Sequence, residues 1–268
     1  VISMGLISLP IMLRYGYDKR LATGVIAASG TLAQIIPPSL VLIIMADQLG
    51  KSVGDMYEGA ILPGLILTGL YVGYVVLLTI ITPSRAPALP PEARTLRGIK
   101  LMVRVITTMV PPLLLIFLVL GTIFLGIATP TEGGAMGATG ALILAIARRR
   151  LSFKLLRQAM ETTGKLSSFV IFILVGSTVF GLVFRAVNGD LWVEHLLLSL
   201  PGGQMGFLIV VNILVFFLAF FLDFFELSFI IVPLLAPVAD KLGIDLIWFG
   251  ILLAVNMQTS FMHPPFGF

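Results

Sequence analysis

Residues 256–265 read Asn-Met-Gln-Thr-Ser-Phe-Met-His-Pro-Pro, and residues 29–39 read Ser-Gly-Thr-Leu-Ala-Gln-Ile-Ile-Pro-Pro-Ser. Each stretch places amides, hydroxyls and two prolines inside an otherwise apolar segment. Proline removes a backbone donor and interrupts a helix. In a membrane, the freed carbonyl groups need cover from protein or from a water-filled cavity. Two broken helices in corresponding places predict a transport site near the middle of the membrane.

Both stretches belong to a longer internal repeat. An offset of 227 positions separates Pro37-Pro38 from Pro264-Pro265. The same offset relates three further pairs, which are Pro10 and Pro237, Gly16 and Gly243, and Asp18 and Asp245. Gly24 and Gly250 are one position out of register, and a chance match in a chain rich in glycine and proline is the alternative. Four pairs with one offset in the same order favour a true repeat.

The composition is that of an integral membrane protein. Of the 268 residues, 58% are hydrophobic and 11% are charged, and the mean hydropathy is +1.10. Soluble domains are about a quarter charged, and several runs here reach the roughly 20 apolar residues that span a bilayer as a helix. Cysteine is absent, which excludes disulfides and thiolate metal sites. We interpret the net charge of +4 as a consequence of the basic residues that set membrane topology. We therefore predict no nucleic-acid partner.

The repeat divides the chain into four segments. Residues 1–50 form a first transport element, the end of a hairpin followed by a broken helix, and residues 51–104 form a helix and a cytoplasmic linker. Residues 105–200 contain scaffold helices of the second repeat, and residues 201–268 contain its hairpin and broken helix. Within this layout we predict an exposed turn and a short amphipathic piece over 47–58 and a membrane helix over 63–82. Without an initiator methionine or a signal peptide, we expect a fragment cut at both ends.

The basic residues support an alternating topology. With the turn at 14–20 in the cytoplasm and residues 207–238 as a re-entrant hairpin, 14 of the 17 basic residues fall inside. Lys51, Arg185 and Lys241 fall outside. This is the bias that the positive-inside rule describes, and it puts the two Gly-x-Asp turns on opposite faces, so the repeat is inverted. Charge does not distinguish a hairpin from two full spans, because both return to the same side.

Asp223 and Glu226 are carboxylates inside about thirty otherwise apolar residues. A charge there costs several kcal/mol, so an intramembrane carboxylate is a functional hypothesis by default. The alternative is structural, because Asp223 can cap the N-terminus of the returning arm with its carboxylate. Both roles can coexist in one residue.

The broken helices also offer ligands for an ion or a substrate. Unwound carbonyl groups and half-helix C-termini suit a hard cation such as sodium, and half-helix N-termini suit an anion. Interhelical hydrogen bonding is the alternative role for the polar side chains. The residues that contribute side-chain oxygens are Thr31, Gln34, Asn256, Gln258, Thr259 and Ser260.

Other conspicuous residues have ordinary interpretations. Ala-Thr-Pro-Thr-Glu-Gly (128–133) predicts a helix start with Thr129 as the cap and Glu132 completing a capping box. The small residues that follow, over 133–140, predict close packing of another helix. His263, beside the second Pro-Pro, is a weak candidate for a proton relay, and we expect Trp192 to anchor an interfacial segment. Nucleotide-binding glycine loops and paired-histidine metal motifs are absent from the sequence.

Several stretches resemble one known family in sequence and in order. They are Leu9-Pro10-x-Met12-Leu13-x-x-Gly16-Tyr17-Asp18-Lys19-Arg20-Leu21-Ala22-Thr23-Gly24, Ala28-Ser29-Gly30-Thr31-Leu32 with Ile36-Pro37-Pro38-Ser39, Ala128-Thr129-Pro130-Thr131-Glu132, Phe221-Leu222-Asp223, and Gly243-Ile244-Asp245 with Phe249-Gly250 and residues 256–267. Together they resemble the large membrane subunit of tripartite ATP-independent periplasmic (TRAP) transporters.

The resemblance implies an all-α integral membrane protein of the inverted-repeat, elevator type, with re-entrant hairpins and broken helices. It also implies a multi-pass protein of the bacterial inner membrane that imports a small organic acid with sodium as the coupling ion and no other cofactor. Its partners would be a periplasmic solute-binding protein and a small four-helix membrane subunit. The first membrane spans, the first hairpin tip and the final helix of such a subunit would lie outside these 268 residues.

Site residues follow from the same resemblance. The first sodium site would comprise Gly30, Ala33, Ile35 and Pro38, largely through the backbone. The second would comprise Asp223, Thr259, Ser260, Met262 and Pro265. We assign six residues to the substrate, which are Thr31, Gln34, Ser39, Glu226, Asn256 and Gln258. Many relatives have glycine at the positions of Ala33 and Ser260, and a small or apolar residue at that of Glu226.

Three other functions remain as alternatives at this stage. A channel subunit would also place polar residues at broken helices, and an ion-coupled carrier can work without a binding protein. An intramembrane enzyme would need Asp223 and Glu226 as an acid pair, and no second motif supports it. We therefore predict a transporter and not an enzyme.

Overall fold

The structure is a computed structural model that describes residues 2–93 and 96–262. The described chain is helical, and its elements follow the breaks predicted from proline, glycine and the capping residues. The helices are α1 (Ile2–Arg14), α2 (Lys19–Thr31), α3 (Leu40–Leu49), α4 (Val53–Ile81), α5 (Gly98–Phe124), α6 (Pro130–Ala147), α7 (Phe153–Ala186), α8 (Gly189–Leu198), α9 (Gly203–Leu218), α10 (Phe224–Glu226), α11 (Val232–Lys241) and α12 (Leu246–Met257). A π-helical segment (Leu227–Ile231) joins α10 to α11, and 3₁₀ turns follow α2 (Leu32–Gln34) and α12 (Gln258–Phe261).

Three of the described helices, α4, α5 and α7, are long and apolar enough to cross a membrane. They have 29, 27 and 34 residues, and an α-helix rises about 1.5 Å per residue, so each exceeds the roughly 30 Å of a hydrocarbon core. Most of their large apolar side chains are exposed in the chain by itself, which suits contact with lipid or with other membrane helices. The predicted class, an all-helical membrane protein, is confirmed.

The predicted exposed turn over 47–58 is only partly present. Gly50 ends α3 with a φ of 62°, and α4 already begins at Val53 and runs through Pro63 without interruption. Met56 and Tyr57 are fully buried against the rest of their unit. The short amphipathic piece predicted here is the start of α4, and Met56 and Tyr57 lie on its buried face.

Two compact units make up the chain. The first contains residues 1–33 and 62–151, and the second contains residues 34–61 and 152–268. In the first unit α1 packs against α2, and α5 packs against α6. The predicted close approach at small residues is confirmed, because a Cβ atom on Gly140 would clash with Leu115 Cδ1 and one on Gly133 would lie 2.8 Å from Ile123 Cδ1.

In the second unit α12 packs against both α3 and α9. The rings of Phe207 on α9 and Phe249 on α12 are fully buried, with centroids 5.8 Å apart. A Cβ atom on Gly250 would lie 2.5 Å from Leu49 Cδ1, so glycine lets α12 approach α3 closely. This core holds the second half of the first broken helix against the second broken helix.

Residues 203–242 form a re-entrant hairpin. Helix α9 has 16 residues, about 24 Å, and does not reach the roughly 30 Å of a hydrocarbon core. Gln204 Nε2 near its start donates to the carbonyl oxygen of Leu242, 2.5 Å away, directly after α11. Lys241 Nζ lies 2.5 Å from Glu194 Oε1 on α8. The chain therefore leaves and returns at the same level, as both interpretations require, and the shortness of α9 favours the re-entrant hairpin over two full spans.

Candidate functional site

The hairpin tip is built around Asp223. After α9 ends, the chain turns and Asp223 caps α10, where Phe224 N–H donates to Asp223 Oδ1 at 2.6 Å. Glu226 completes a capping box, because Asp223 N–H donates to Glu226 Oε2 at 3.1 Å. The structural interpretation of Asp223 as a cap is thus confirmed, and Glu226 is tied to the same turn. Only 3% of the Asp223 surface is exposed.

Asp223 has no cationic partner in the described part of the chain. The two ion pairs there lie elsewhere, between Arg157 and Glu161 and between Lys241 and Glu194. Residues 2–93 and 96–262 also contain no cluster of three or more acidic or histidine side chains that could hold a metal. Any cation at the hairpin tip would therefore have at most the two carboxylates of Asp223 and Glu226, with hydroxyl and backbone oxygens as the other ligands.

The returning arm starts with the π-helical segment Leu227–Ile231. Such single-turn π segments occur frequently at functional sites. Ser228, within it, is fully buried, and its Oγ lies 3.7 Å from Met45 Sδ on α3. Phe225 contacts Phe169 of α7 edge to face, with centroids 6.0 Å apart. The tip is thus held between α3 and α7, and the sequence had singled out neither Ser228 nor Met45.

The first break lies where it was predicted. Helix α2 ends at Thr31, a 3₁₀ turn covers Leu32–Gln34, and α3 starts after Ser39. The peptide bond between Pro37 and Pro38 is cis.

Side chains close this first break. Ser39 Oγ donates to the carbonyl oxygen of Gln34 and accepts from Leu42 N–H as the cap of α3. Tyr57 OH donates to the carbonyl oxygen of Ser39 at 3.4 Å. The polar groups of Ser39 therefore already have partners within the protein, and its assignment to the substrate stays a prediction.

The residues of the predicted first sodium site belong to different units. Gly30, in the last turn of α2, and the exposed Ala33 belong to the first unit, and the buried Ile35 and the exposed Pro38 belong to the second. Thr31 Oγ1 donates to the carbonyl oxygen of Ala28 at 2.8 Å. The sodium assignment of these residues stays a prediction.

The second break follows α12. Thr259 Oγ1 donates to the Asn256 carbonyl oxygen at 2.8 Å, and Ser260 Oγ donates to that of Met257 at 2.7 Å. Met262 is exposed. Pro265 and His263, the remaining predicted residues of this stretch, lie outside the described residues.

Gln258 differs from the other polar residues of this break. It is 3% exposed, and none of the described residues accepts a hydrogen bond from its amide nitrogen Nε2. Buried polar groups in native proteins are nearly always hydrogen-bonded, and an exception needs an explanation. A ligand with an acceptor oxygen is one such explanation, because an amide N–H then gains the partner that the protein does not supply.

Asn256 has a packing role that the sequence had left open. Its Nδ2 donates to Asn212 O at 2.8 Å and to Asn212 Oδ1 at 3.0 Å, and Asn212 Nδ2 donates to Leu208 O at 2.8 Å. This chain of bonds joins the second broken helix to the first arm of the hairpin. Asn212 was missed, although an amide in the middle of the apolar run 207–222 was a readable signal.

Glu132 behaves as the sequence predicted. Thr129 N–H and Oγ1–H donate to Glu132 Oε2 at 2.7 and 2.9 Å, and Glu132 N–H donates back to Thr129 Oγ1 at 3.3 Å. The hydrogen bonds from Thr129 lower the pKa of the exposed Glu132 carboxyl. The capping box that starts α6 is confirmed.

Comparison with known proteins identifies relatives along the whole chain. A family model described as the tripartite ATP-independent periplasmic transporter, DctM component, matches residues 1–268. The C4-dicarboxylate TRAP transporter large permease protein DctM of Vibrio cholerae is 31% identical over all of this chain and 62% of its own length. The isethionate TRAP transporter permease protein DctMQ of Oleidesulfovibrio alaskensis is 28% identical over all of this chain and 41% of its own length.

A third relative is named for a different substrate, sialic acid. The sialic acid TRAP transporter large permease protein SiaM of Vibrio cholerae is 26% identical over 94% of this chain and 57% of its own length. The chain thus spans about three fifths of the length of the DctM proteins it matches.

Proposed function

The chain belongs to the DctM family of tripartite ATP-independent periplasmic transporters, and from this membership we propose that it serves sodium-coupled import of a small organic acid. The membership itself confirms the resemblance seen in the sequence. The family is one of transport permeases and not of enzymes. With three described helices able to cross a bilayer, the chain is a multi-pass protein of the bacterial inner membrane.

The buried carboxylate of Asp223 is the observation that carries the coupling-ion part of the proposal. A charge removed from water is costly unless it is paired or bound to a cation, and the described residues give this one no cationic partner. Sodium prefers oxygen ligands, and the carboxylate offers oxygen beyond the atom that caps α10. In this proposal Asp223 holds the ion, and the backbone and hydroxyl oxygens of the second break complete the ligand set.

The substrate part rests on Gln258 and on the relatives. Gln258 offers a buried amide donor of the type that binds a carboxylate or sulfonate oxygen. The relatives are named for C4-dicarboxylates, isethionate and sialic acid, all of them acids. We propose that this chain also acts on a small organic acid, with Gln258 as one of its donors and Glu226, Thr31 and Gln34 as further candidates.

Partners and motion complete the proposal. TRAP membership implies a periplasmic solute-binding protein that delivers the substrate and a small membrane subunit that braces the permease. The hairpin tip, α3 and α12 pack in one unit, which suits an element that moves as a body during transport. We propose an elevator-type motion of this element.

The test uses the full-length subunit with its small partner in liposomes, and a binding protein loaded with labelled organic acid. Asp223→Asn is the informative variant, because asparagine caps a helix about as well as aspartate while removing the charge. Asp245→Asn is the matched control, since Asp245 caps α12 through Trp248 N–H and is exposed. We expect sodium-driven uptake in the wild type and the control, and background uptake in Asp223→Asn.

Each alternative has its own signature in this assay. Uptake that is equal in sodium and potassium gradients would contradict the coupling ion. Uptake without the binding protein would favour a carrier that works alone, and an ohmic current would favour a channel. Asp223→Asn with wild-type sodium dependence would reduce Asp223 to its capping role.

A further inference from the structure

A cavity of about 840 Å³ lies between α2 and α4 in the first unit. The two helices make few direct contacts across it, and its walls are mostly apolar, with residues such as Val25, Ala28 and Val75. It extends along α2 from Asp18 to Leu32, about 20 Å at 1.5 Å per residue. That length matches one leaflet of a bilayer, which is about 20–22 Å thick with its headgroup region.

The charged groups of the cavity lie together at one end. Asp18, Arg20 and Arg85 line it there, and Asp18 N–H donates to the carbonyl oxygen of Arg85 at 2.9 Å. That bond joins the turn before α2 to the turn after α4. The topology from the positive-inside rule puts this end at the cytoplasmic surface. The cavity is therefore an apolar groove with two arginine residues at its mouth.

We propose that this groove binds a glycerophospholipid of the cytoplasmic leaflet. Its phosphate lies between Arg20 and Arg85, since arginine is well suited to phosphate through charge-assisted hydrogen bonds, and its acyl chains lie between α2 and α4. The proposal needs only the membrane location of the chain, and it does not depend on the transported substrate or the coupling ion.

Asp18 adds selectivity for the rest of the headgroup. Arg20 N–H and Leu21 N–H both donate to its Oδ1, which leaves Oδ2 able to accept another hydrogen bond. An ethanolamine headgroup carries an ammonium with N–H donors, whereas a choline headgroup has none. The groove therefore prefers phosphatidylethanolamine to phosphatidylcholine.

Charge complementarity favours a lipid over an apolar protein helix as the occupant of the groove. Arg20, Arg85 and Asp18 line its mouth together, and this combination of charges suits the phosphate and the ammonium of a zwitterionic headgroup. An apolar transmembrane segment offers neither charge.

The experiment uses the full-length protein in nanodiscs that contain dioleoyl-phosphatidylethanolamine, dioleoyl-phosphatidylcholine or dioleoylglycerol. Native mass spectrometry after extraction into mild detergent measures the lipid that stays bound. Dioleoylglycerol has the same acyl chains without a phosphate. We expect one tightly held phosphatidylethanolamine, retained about tenfold more than dioleoylglycerol, because a hydrogen bond to a charged group contributes at least a factor of ten, and retained more than phosphatidylcholine.

Two pairs of variants locate the site. Arg20→Gln with Arg85→Gln removes both guanidinium groups, and Arg14→Gln with Arg104→Gln removes the same charge from exposed residues outside the groove. Gly24→Leu fills the groove without a clash, since a Cβ atom on Gly24 meets nothing within 4 Å. Gly69→Leu is its control, because Gly69 is equally open and does not line the cavity.

The expected result is loss of about nine tenths of the bound lipid in the two groove variants, with wild-type retention in both controls. Thermal unfolding and gel filtration identify any variant that fails to fold. If one of the two groove variants fails, lipid retention by the other groove variant tests the proposal. Equal retention in all variants, or equal retention of dioleoylglycerol, would overturn the proposal. A structure of the full-length protein with one of its own segments inside the groove would overturn it as well.

Discussion

The two broken helices of this protein have the same backbone plan. Gly16 and Gly243 turn the chain with φ values of 80° and 72°, a conformation that glycine adopts at no steric cost. Asp18 and Asp245 then cap helices of 13 and 12 residues, and each helix ends in a 3₁₀ turn. The repeat that was read from sequence is thus present in the local structure of both elements.

Their polar side chains differ at matching positions. The repeat offset pairs Thr31 with Gln258, and both are buried. Thr31 donates to its own helix, whereas the amide nitrogen of Gln258 lacks an acceptor in the described structure. At these matching positions the hydroxyl of the first break has its partner within the protein, whereas the second break retains a buried donor without one among the described residues.

The largest difference in stability is expected between the variants Gly250→Ala and Gly24→Ala. A Cβ atom on Gly250 would lie 2.5 Å from Leu49 Cδ1 and 3.0 Å from Met56 Cε, whereas one on Gly24 meets nothing within 4 Å. We expect Gly250→Ala to destabilise the protein by about 1–3 kcal/mol through overpacking. Gly24→Ala should be neutral or stabilising by up to about 1 kcal/mol, because alanine is the better helix former.

Thermal unfolding of the full-length subunit in detergent measures both changes. Leu49 and Met56 have flexible side chains, so part of the clash can be relieved by their movement, which sets the low end of the range. Equal unfolding temperatures for the two variants would contradict the close packing of α3 on α12.

The next contrast concerns the serines at the two breaks. Ser39 bridges Gln34 O and Leu42 N–H across the first break, so Ser39→Ala should cost about 1–2 kcal/mol as the loss of a helix cap. Ser260 is equally buried but donates only within its own turn, to Met257 O. Ser260→Ala should therefore cost about 0.5 kcal/mol. Chemical unfolding compares the two, and a larger cost at Ser260 would mean that its hydroxyl has another partner.

Gln258→Leu should separate stability from transport. Replacing a buried donor that lacks a partner by an apolar group of similar shape is nearly neutral or stabilising, so we expect a gain of up to about 1 kcal/mol. The same change should raise the KM for substrate about tenfold, the equivalent of 1.4 kcal/mol. Ser177→Ala is the control, because Ser177 is a buried hydroxyl that donates within its own helix and is not assigned to the substrate, so we expect a slight loss of stability and an unchanged KM. A destabilised Gln258→Leu with normal KM would make Gln258 a structural residue.

The sequence predicted the breaks well because their causes are local. Proline, glycine and the capping aspartates act within a few residues, so the ends of α2 and the starts of α3 and α12 could be placed before the structure. The capping role of Asp223 and the box at Thr129 and Glu132 follow from the same short-range chemistry.

Long-range partners were beyond the sequence. Three contacts join residues far apart in the sequence: the bond from Tyr57 to Ser39, the contact of Ser228 with Met45 and the bond from Asn256 to Asn212, with separations of 18, 183 and 44 positions. A single sequence, considered by itself, contains no signal for pairs so far apart. The sodium and substrate assignments depend on the same kind of convergence, which is why they stay predictions.

The smallest effect is expected for the bond between the second broken helix and the hairpin. Asn256→Leu removes two hydrogen bonds to Asn212, and Asn212→Leu removes the one to its side chain together with its own bond to Leu208 O. Interhelical hydrogen bonds in membrane proteins average about 0.6 kcal/mol in double-mutant cycles, and we expect a coupling energy of that size. The matching residue of the first repeat, Ser29, bonds mainly within its own helix, so Ser29→Ala should change the unfolding free energy by less than about 0.5 kcal/mol. A coupling of zero would mean that α9 and α12 are held by apolar packing alone, with Phe207 and Phe249 as the main contact.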